Sequence, residues 1–191
     1  MIGYSSDREM AASFEAIVLP HLDAAYNLAR WLTHDDHNAD DIVQMAVMRA
    51  FRFFDGYRGG DARAWLLTIV RNTYFTALRD TQHQLEESTF DEECYDRDGT
   101  DQNSSIYNID TNPENLLAIG DVKRLVTQAL ESLPLQFREV VVLKEIQELS
   151  YKEIAEIVDI PLGTVMSRLA RGREQLRKYL AKHVEGDVFG L

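Results

Sequence analysis

The chain lacks several features that mark particular protein classes. It has one cysteine, Cys94, among 191 residues, so no disulfide can form within the chain. Its longest apolar run, Ala64 to Val70 with Thr68 inside it, is far shorter than the roughly 18 residues of a membrane span. There are four prolines, and no β-branched stretch alternates with polar residues as a half-buried strand would. These absences argue against disulfide-stapled, membrane-inserted and β-rich proteins.

Sequence patterns typical of enzymes are also missing. There is no glycine-rich phosphate loop, no serine nucleophile elbow and no Cys–His pair. The potential metal ligands between His34 and Asp41 lie where a helix is predicted to begin, and acidic side chains are favoured there as caps and dipole partners. We therefore predict no catalytic residue, no cofactor and no metal site, with a metal-dependent enzyme as the alternative.

The N-terminal segment does not have the pattern of a secretory signal. Residues Met1 to Glu9 are polar and of mixed charge, without the apolar stretch that such a signal contains. With the single cysteine, this predicts a soluble protein of the cytoplasm.

Apolar residues at helical spacing are abundant. Apolar residues make up 45% of the chain, and they recur three and four positions apart almost throughout, which predicts an all-α fold. The first stripe, from Phe14 to Leu32, should kink near Pro20 because proline disrupts a helix interior. Further helices are predicted over 39–54, 62–80, 114–132, 135–147, 151–158 and 162–183. The residues predicted to face inward from the second and third helices are Ile42, Ala46, Ala50 and Phe53, then Trp65, Ile69, Thr73 and Ala77.

The negative charge is concentrated in one segment. The net charge is −12, of which −9 falls within residues 80–113, while the flanking segments are close to neutral. Such a composition buries too little apolar surface to offset the entropy of ordering, so a flexible acidic linker is predicted. The expected organisation is an N-terminal helical bundle over 1–80, a linker over 81–113 and a four-helix domain over 114–191.

The stretch from Ser150 to Leu180 has the pattern of a helix-turn-helix. Ser150 and Glu153 form a capping box, and Asp159 stands at a turn where a left-handed residue is commonly needed. The inward positions of the second helix and its approach are Ile160, Val165, Leu169 and Leu176, and the opposite face carries Thr164, Ser167, Arg168, Arg171 and Lys178. Short polar residues followed by arginines suit a helix in the DNA major groove. The alternative is a helical hairpin with a solvated basic face.

Two separate motifs carry a resemblance to a known family. ELSYKEIAEIVDIPLGTVMSRLARGREQLRKYL, preceded by LESLPLQFREVVVLKE, resembles the promoter −35-reading region of extracytoplasmic-function sigma factors. HNADDIVQMAVMRAFRFF resembles their polymerase-clamp helix, and YRGGDARAWLLTIVRNTYFTALRD resembles the part that reads and opens the −10 element. The resemblance covers about residues 12–80 and 114–183. It implies a transcription initiation factor that binds core RNA polymerase through the clamp and flap.

The resemblance also implies roles for individual residues. For the −35 element these are Lys144, Thr164, Ser167, Arg168, Arg171 and Arg173. For the −10 element they are Tyr57, Arg58, Arg63, Arg71, Asn72, Tyr74 and Arg79, where aromatic rings would stack on unpaired bases. For the polymerase clamp they are Asp40, Asp41, Val43, Gln44, Met48 and Arg49, with Met45 and Met48 expected on the outer side of their helix. Met166 stands where the family often has a basic residue.

Other functions and partners remain open at this point. The family makes an anti-sigma factor a plausible partner, and a sigma-like decoy that binds such a regulator is the main alternative. A dimeric helix-turn-helix repressor would not explain the N-terminal domain. The near-neutral flanking segments predict weak DNA binding by the free chain. The acidic linker is either a spacer or an occupant of a basic channel in polymerase.

Overall fold

The computed structural model describes residues 3–88 and 113–188, and within these ranges the regular structure is helical. The helices are α1 (Gly3–Ile17), α2 (Leu22–Thr33), α3 (Asp36–Arg52), α4 (Ala62–Ser88), α5 (Pro113–Glu131), α6 (Leu135–Val141), α7 (Tyr151–Val158) and α8 (Leu162–Val188). Short 3₁₀ turns occupy Leu19–His21 and Phe54–Gly56, and a π-helical turn occupies Val142–Ile146. The all-α prediction is confirmed.

Local sequence signals set the helix ends in the first domain. The 3₁₀ turn that contains Pro20 separates α1 from α2, which confirms the predicted kink. The α2 helix ends at His34 in a left-handed conformation with φ of 60°. Asp35 then caps α3, because its carboxylate accepts a hydrogen bond of 2.7 Å from the backbone N–H of Asn38.

The first domain packs α1 to α4 around an aromatic and aliphatic core. Phe14 meets Phe54 edge to face at a centroid distance of 5.3 Å, and Leu66, Leu67 and Val70 of α4 are fully buried. The prediction that Phe53 faces inward is wrong, since that side chain is 61% exposed and Phe54 is buried instead. The α3 helix ends at Arg52, and Phe53 has non-helical dihedrals (φ −101°, ψ 8°), so the α-helical spacing does not extend to these two rings. Of the predicted α4 face, Thr73 is buried and the other three residues are half-buried.

The second domain contains the helix-turn-helix. The Ser150–Glu153 capping box is formed in both directions, and Asp159 adopts the left-handed conformation with φ of 55°, as predicted. Gly172 lies where α8 crosses α6, and a Cβ at that position would stand 2.7 Å from a methyl carbon of Val141. The predicted continuous helix over 135–147 is instead an α-helix followed by the π turn.

The linker prediction needs a correction at its first residues. Residues 81–88 belong to α4, which continues eight positions beyond the predicted domain boundary. The helix-favouring Gln, Leu and Glu residues of this stretch are consistent with that extension. The remaining linker residues that carry most of the acidic charge, and Cys94, lie outside the described residues.

The two domains pack against each other. Helix α4 contacts α7, and α2 contacts both α6 and the π turn, so the buried apolar residues of the two domains form one connected cluster. Part of α4 therefore faces the second domain. This part includes Arg63 and Arg71, which were predicted to contact the −10 element.

Candidate nucleic-acid interface

The outward face of α8 carries the residues predicted to read the −35 element. Ser167 and Arg171 are exposed, while Val165 and Leu169 on the opposite side are buried. Arg171 makes no hydrogen bond or ion pair with any described part of the chain. The Ser167 hydroxyl donates to the Thr164 carbonyl at 3.0 Å. Exposed short polar and guanidinium groups near the start of the second helix match the geometry of major-groove readers.

Three other residues of the −35 set are engaged within the protein. The guanidinium of Arg173 donates to one carboxylate oxygen of Glu145 at 2.9 and 2.5 Å. Lys144 donates to the Leu149 carbonyl at 3.0 Å. Arg168 is half-buried and close enough to Glu139 to act on its carboxylate electrostatically. The structure therefore leaves Arg171 as the most available cation of this set.

The loop before α4 is fixed by glycines and an aromatic stack. Gly59 and Gly60 have φ of 87° and 102°, a backbone region that disfavours side chains. The Tyr57 hydroxyl donates to the Gly60 carbonyl at 2.7 Å. The ring of Tyr57 lies parallel to Phe54, with centroids 5.8 Å apart, and is tilted against Trp65 at 5.1 Å. Tyr57 of the loop and Trp65 of α4 are thus half-buried, and their ring contact holds the loop against the helix.

Two arginines of the predicted −10 set contact the second domain. Arg71 of α4 pairs through Nε with Oε1 of Glu139 at 2.5 Å, and Glu139 is 2% exposed. Arg63 donates to the side-chain oxygen of Gln147 at 2.6 Å, and the Gln147 amide in turn donates to the Ala24 carbonyl at 3.4 Å. We call these contacts the interdomain latch. Arg58, Asn72 and Arg79, the other polar residues of the −10 set outside the two tyrosines, are exposed.

Titratable groups gather at the edge of the latch. Burial raises the pKa of Glu139, and the charge and hydrogen bond of Arg71 oppose that rise. Burial also raises the pKa of Tyr74, and it lowers the pKa of Arg138. The pKa of His34 is lowered to about 4 by burial and then by the charges of Arg138 and Arg30. Glu131 lies 3.8 Å from the His34 ring, too far for a hydrogen bond, so the lowering effects dominate.

Helix α3 presents the predicted polymerase-binding surface. Asp40, Asp41, Gln44 and Met48 are exposed, and Met48 is 68% exposed, which is high for an apolar side chain. Met45, one turn earlier, is 39% exposed. Val43 is half-buried, and Arg49 donates to the Thr73 hydroxyl at 3.3 Å, so these two also serve the domain itself.

Sequence reasoning missed the second-domain half of the latch. Glu139 and Gln147 are both 2% exposed, and Arg138 is 6% exposed. A signal was present, because Arg138 and Glu139 lie in the otherwise apolar stretch FREVVVL. Charged residues in such a run are rarely buried unless they are paired, so they indicate a contact with another element.

Two further findings concern membrane and metal binding. Within residues 3–88 and 113–188, no helix combines the length and apolar character needed to cross a bilayer. Among the described residues, no three His, Cys, Asp or Glu side chains group as metal ligands would. In the His34–Asp41 stretch, Asp35 caps α3 and Asp36 pairs with Arg30.

The chain matches two family models and several curated proteins. Residues 17–84 match the sigma-70 region 2 model, and residues 123–176 match the sigma-70 region 4 model. The chain is 36% identical to the ECF RNA polymerase sigma factor SigE of Mycolicibacterium smegmatis, over 94% of this chain and 66% of that relative. It is 34% identical to the ECF RNA polymerase sigma factor SigW of Bacillus subtilis, over 88% of this chain and 89% of that relative.

Solved structures share the fold over both domains. The sigma factor RpoE in complex with the anti-sigma factor NepR from Bartonella quintana superposes with a TM-score of 0.70 at 25% identity, covering 88% of this chain and 97% of that one. CnrH, solved in complex with the cytosolic domain of CnrY, has the same fold at a TM-score of 0.58 and 23% identity. Two ordered family regions, relatives aligned over most of this chain and a shared fold agree, and the chain belongs to the extracytoplasmic-function family of RNA polymerase sigma factors.

Proposed function

We propose that this sigma factor binds core RNA polymerase through α3, reads the −10 element through the loop before α4 and α4 itself, and reads the −35 element through α8. The observation that carries the proposal is that α3, the loop before α4 and α8 each have an exposed surface. They follow one another along the chain in the order of sigma regions 2 and 4. Each surface includes a group with no structural task, namely Met48 on α3, Arg58 in the loop and Arg171 on α8. The protein would act in the cytoplasm, where polymerase and promoters meet.

The exposed side of α3 fits a protein partner better than DNA. Asp40 and Asp41 would repel phosphates, whereas Met48 offers an adaptable apolar contact of the kind found in protein interfaces. The carboxylates on the same helix would supply a charged rim that orients the partner.

The interdomain latch opposes DNA reading in this arrangement. Arg63 and Arg71 each direct one guanidinium nitrogen to Gln147 or Glu139, so fewer of their N–H donors are available to phosphates. Separation of the two domains would release these donors for DNA, and binding of both domains to the large polymerase surface would supply the free energy.

An anti-sigma protein is the partner that would favour the closed arrangement. The solved relative with a TM-score of 0.70 is bound to an anti-sigma factor, and the similarity spans both domains of this chain. A regulator that binds the closed arrangement more tightly than the open one shifts the population away from polymerase. The same shift would lower DNA binding by the regulator-bound chain.

The test combines polymerase binding with transcription. Full-length protein is mixed with sigma-free core polymerase, co-elution is measured, and run-off transcripts are sequenced from a randomised promoter library. We expect co-elution and transcripts from promoters that share two elements. Met48→Asp should reduce co-elution, and Arg171→Ala should preserve co-elution but remove the −35 preference. Binding without promoter-dependent transcripts, or no binding by folded protein, would contradict the proposal, and the latter result would favour a sigma-like decoy.

A further inference from the structure

The outward stripe of α8 offers few hydrogen bonds to DNA. Within the first ten residues of α8 the exposed positions are Leu162, Gly163, Met166, Ser167, Ala170 and Arg171, while Thr164 and Arg168 are half-buried. Of the exposed positions, only Ser167 and Arg171 carry polar side chains, and the Ser167 hydroxyl proton is directed to the Thr164 carbonyl. The other exposed positions are apolar or have no side chain.

Met166 has no structural reason to be apolar. It is 48% exposed, whereas the inward-facing Val165 and Leu169 of the same helix are 0% and 1% exposed. A polar side chain would keep the same helix and the same core. The position lies four residues after the first residue of α8, in the part of a recognition helix that contacts base edges.

One group in the major groove prefers an apolar side chain. The C5-methyl group of thymine projects there, and apolar side chains recognise it by direct contact, whereas arginine and lysine select guanine. A thioether side chain is flexible and polarisable, so it can close over a methyl group. The neighbouring Gly163 has open space around it, and Ala170 is small, so neither would hold the methionine away from the bases.

We propose that Met166 is a specificity-determining residue that reads a thymine methyl group in the −35 element. The inference rests on the proposed role of α8 as the −35-reading helix. It predicts that this sigma factor prefers a thymine at one −35 position, and that the preference depends on the methyl group and not on base pairing.

Replacing thymine by deoxyuridine removes only the methyl group, and this provides the test. Starting from a promoter selected by the wild-type holoenzyme, each thymine of the −35 element, on either strand, is replaced singly by deoxyuridine. Holoenzyme binding and initial transcription are then measured. We expect one position at which the loss of the methyl group weakens wild-type binding about fourfold, the effect of one buried methyl group. Met166→Ala should bind thymine and deoxyuridine promoters equally at that position.

Two variants make the result specific. Met166→Lys should shift the selected base at that position from thymine toward guanine, because lysine donates to the O6 and N7 acceptors. Val126→Ala removes another exposed apolar side chain of the same domain, 43% exposed on α5, and should keep the wild-type response to deoxyuridine.

The outcomes separate this inference from the proposed function. If no thymine position responds in the wild type, or if Met166→Ala responds as the wild type does, the methyl-reading role is wrong. In that case a loss of −35 preference in Arg171→Ala would still support α8 as the reading helix. If Arg171→Ala also leaves the preference unchanged, the role of α8 itself is wrong.

Discussion

Substituting Arg71 should open the two domains in the free protein. In the closed arrangement, Glu139 is 2% exposed and its carboxylate is paired with the Arg71 guanidinium. Arg71→Ala leaves that carboxylate buried without its main partner, whereas separation of the domains returns it to water. The variant should therefore destabilise the closed arrangement relative to the open one.

The magnitude follows from the burial of the pair. Removing one partner of a buried ion pair typically costs about 3–5 kcal/mol. The lower end applies here, because the Arg71 side chain is 17% exposed and Arg168 also lowers the energy of the Glu139 carboxylate. A change of about 3 kcal/mol corresponds to roughly a hundredfold shift of the closed–open equilibrium toward the open state.

Energy transfer between the domains provides the assay. Fluorophores are attached to cysteines introduced at the exposed positions Asp55 and Gln136, in a chain that carries Cys94→Ser. We expect lower transfer efficiency for Arg71→Ala than for the wild type, with unchanged helical content by circular dichroism.

Two controls make the assay decisive. Arg173→Ala breaks the Arg173–Glu145 pair, which has the same N···O distance but is exposed and lies inside the second domain, and it should leave the transfer efficiency unchanged. The double variant Arg71→Met with Glu139→Leu replaces the buried pair by apolar groups and should restore the closed state. If Arg71→Ala has the transfer efficiency of the wild type, the ion pair does not hold the domains together.

Three further substitutions test other parts of the structure. His34→Asn keeps a residue type that tolerates the left-handed cap. The folded-state pKa of His34 is lowered from 6.5 to about 4, so the stability of the wild type should fall more than that of the variant as the pH drops from 6.5 to 4. Above pH 7 the two proteins should show the same pH dependence, and urea titrations measure both ranges. Gly172→Leu would force side-chain atoms into Val141 and should lower the free energy of unfolding by about 2–3 kcal/mol. Gly163→Leu is the control in the same helix, and it should be nearly neutral because the space around Gly163 is open. Thermal denaturation compares the two variants. Met48→Asp should weaken core polymerase binding at least tenfold by placing a charge in an apolar contact, an effect of about 1.4 kcal/mol or more; fluorescence anisotropy measures it, and wild-type affinity would exclude Met48 from the interface.

Signals that are local in sequence predicted the structure well. The capping box at Ser150 and the left-handed Asp159 were identified from residue type and spacing, because each depends on the backbone within a few positions. The break at Pro20 follows from the missing N–H of a single residue. The all-α fold class and the two sigma regions were also predicted from short patterns of residue type and spacing.

Features that depend on neighbours distant in sequence were not predicted. Phe53 and Phe54 are both large and apolar; α3 ends just before them, and Phe54 is the one that packs against Phe14 and Tyr57. The latch joins residues 68 and 84 positions apart, and periodicity along one helix contains no information about such pairs. The DNA roles of Arg63 and Arg71 were assigned from the sequence alone, and the structure adds that both contact the second domain.

The π turn at Val142–Ile146 makes domain closure sensitive to chain length at one point. It holds one residue more than an α-helical turn, since the Gln147 N–H bonds to the Val142 carbonyl five positions earlier. Deleting a single residue there would rotate Gln147 by about 100° relative to α6 and direct its amide away from Arg63 and Ala24. A change of chain length at this turn would therefore alter the contact between the two domains, whereas insertions and deletions in most proteins fall in loops.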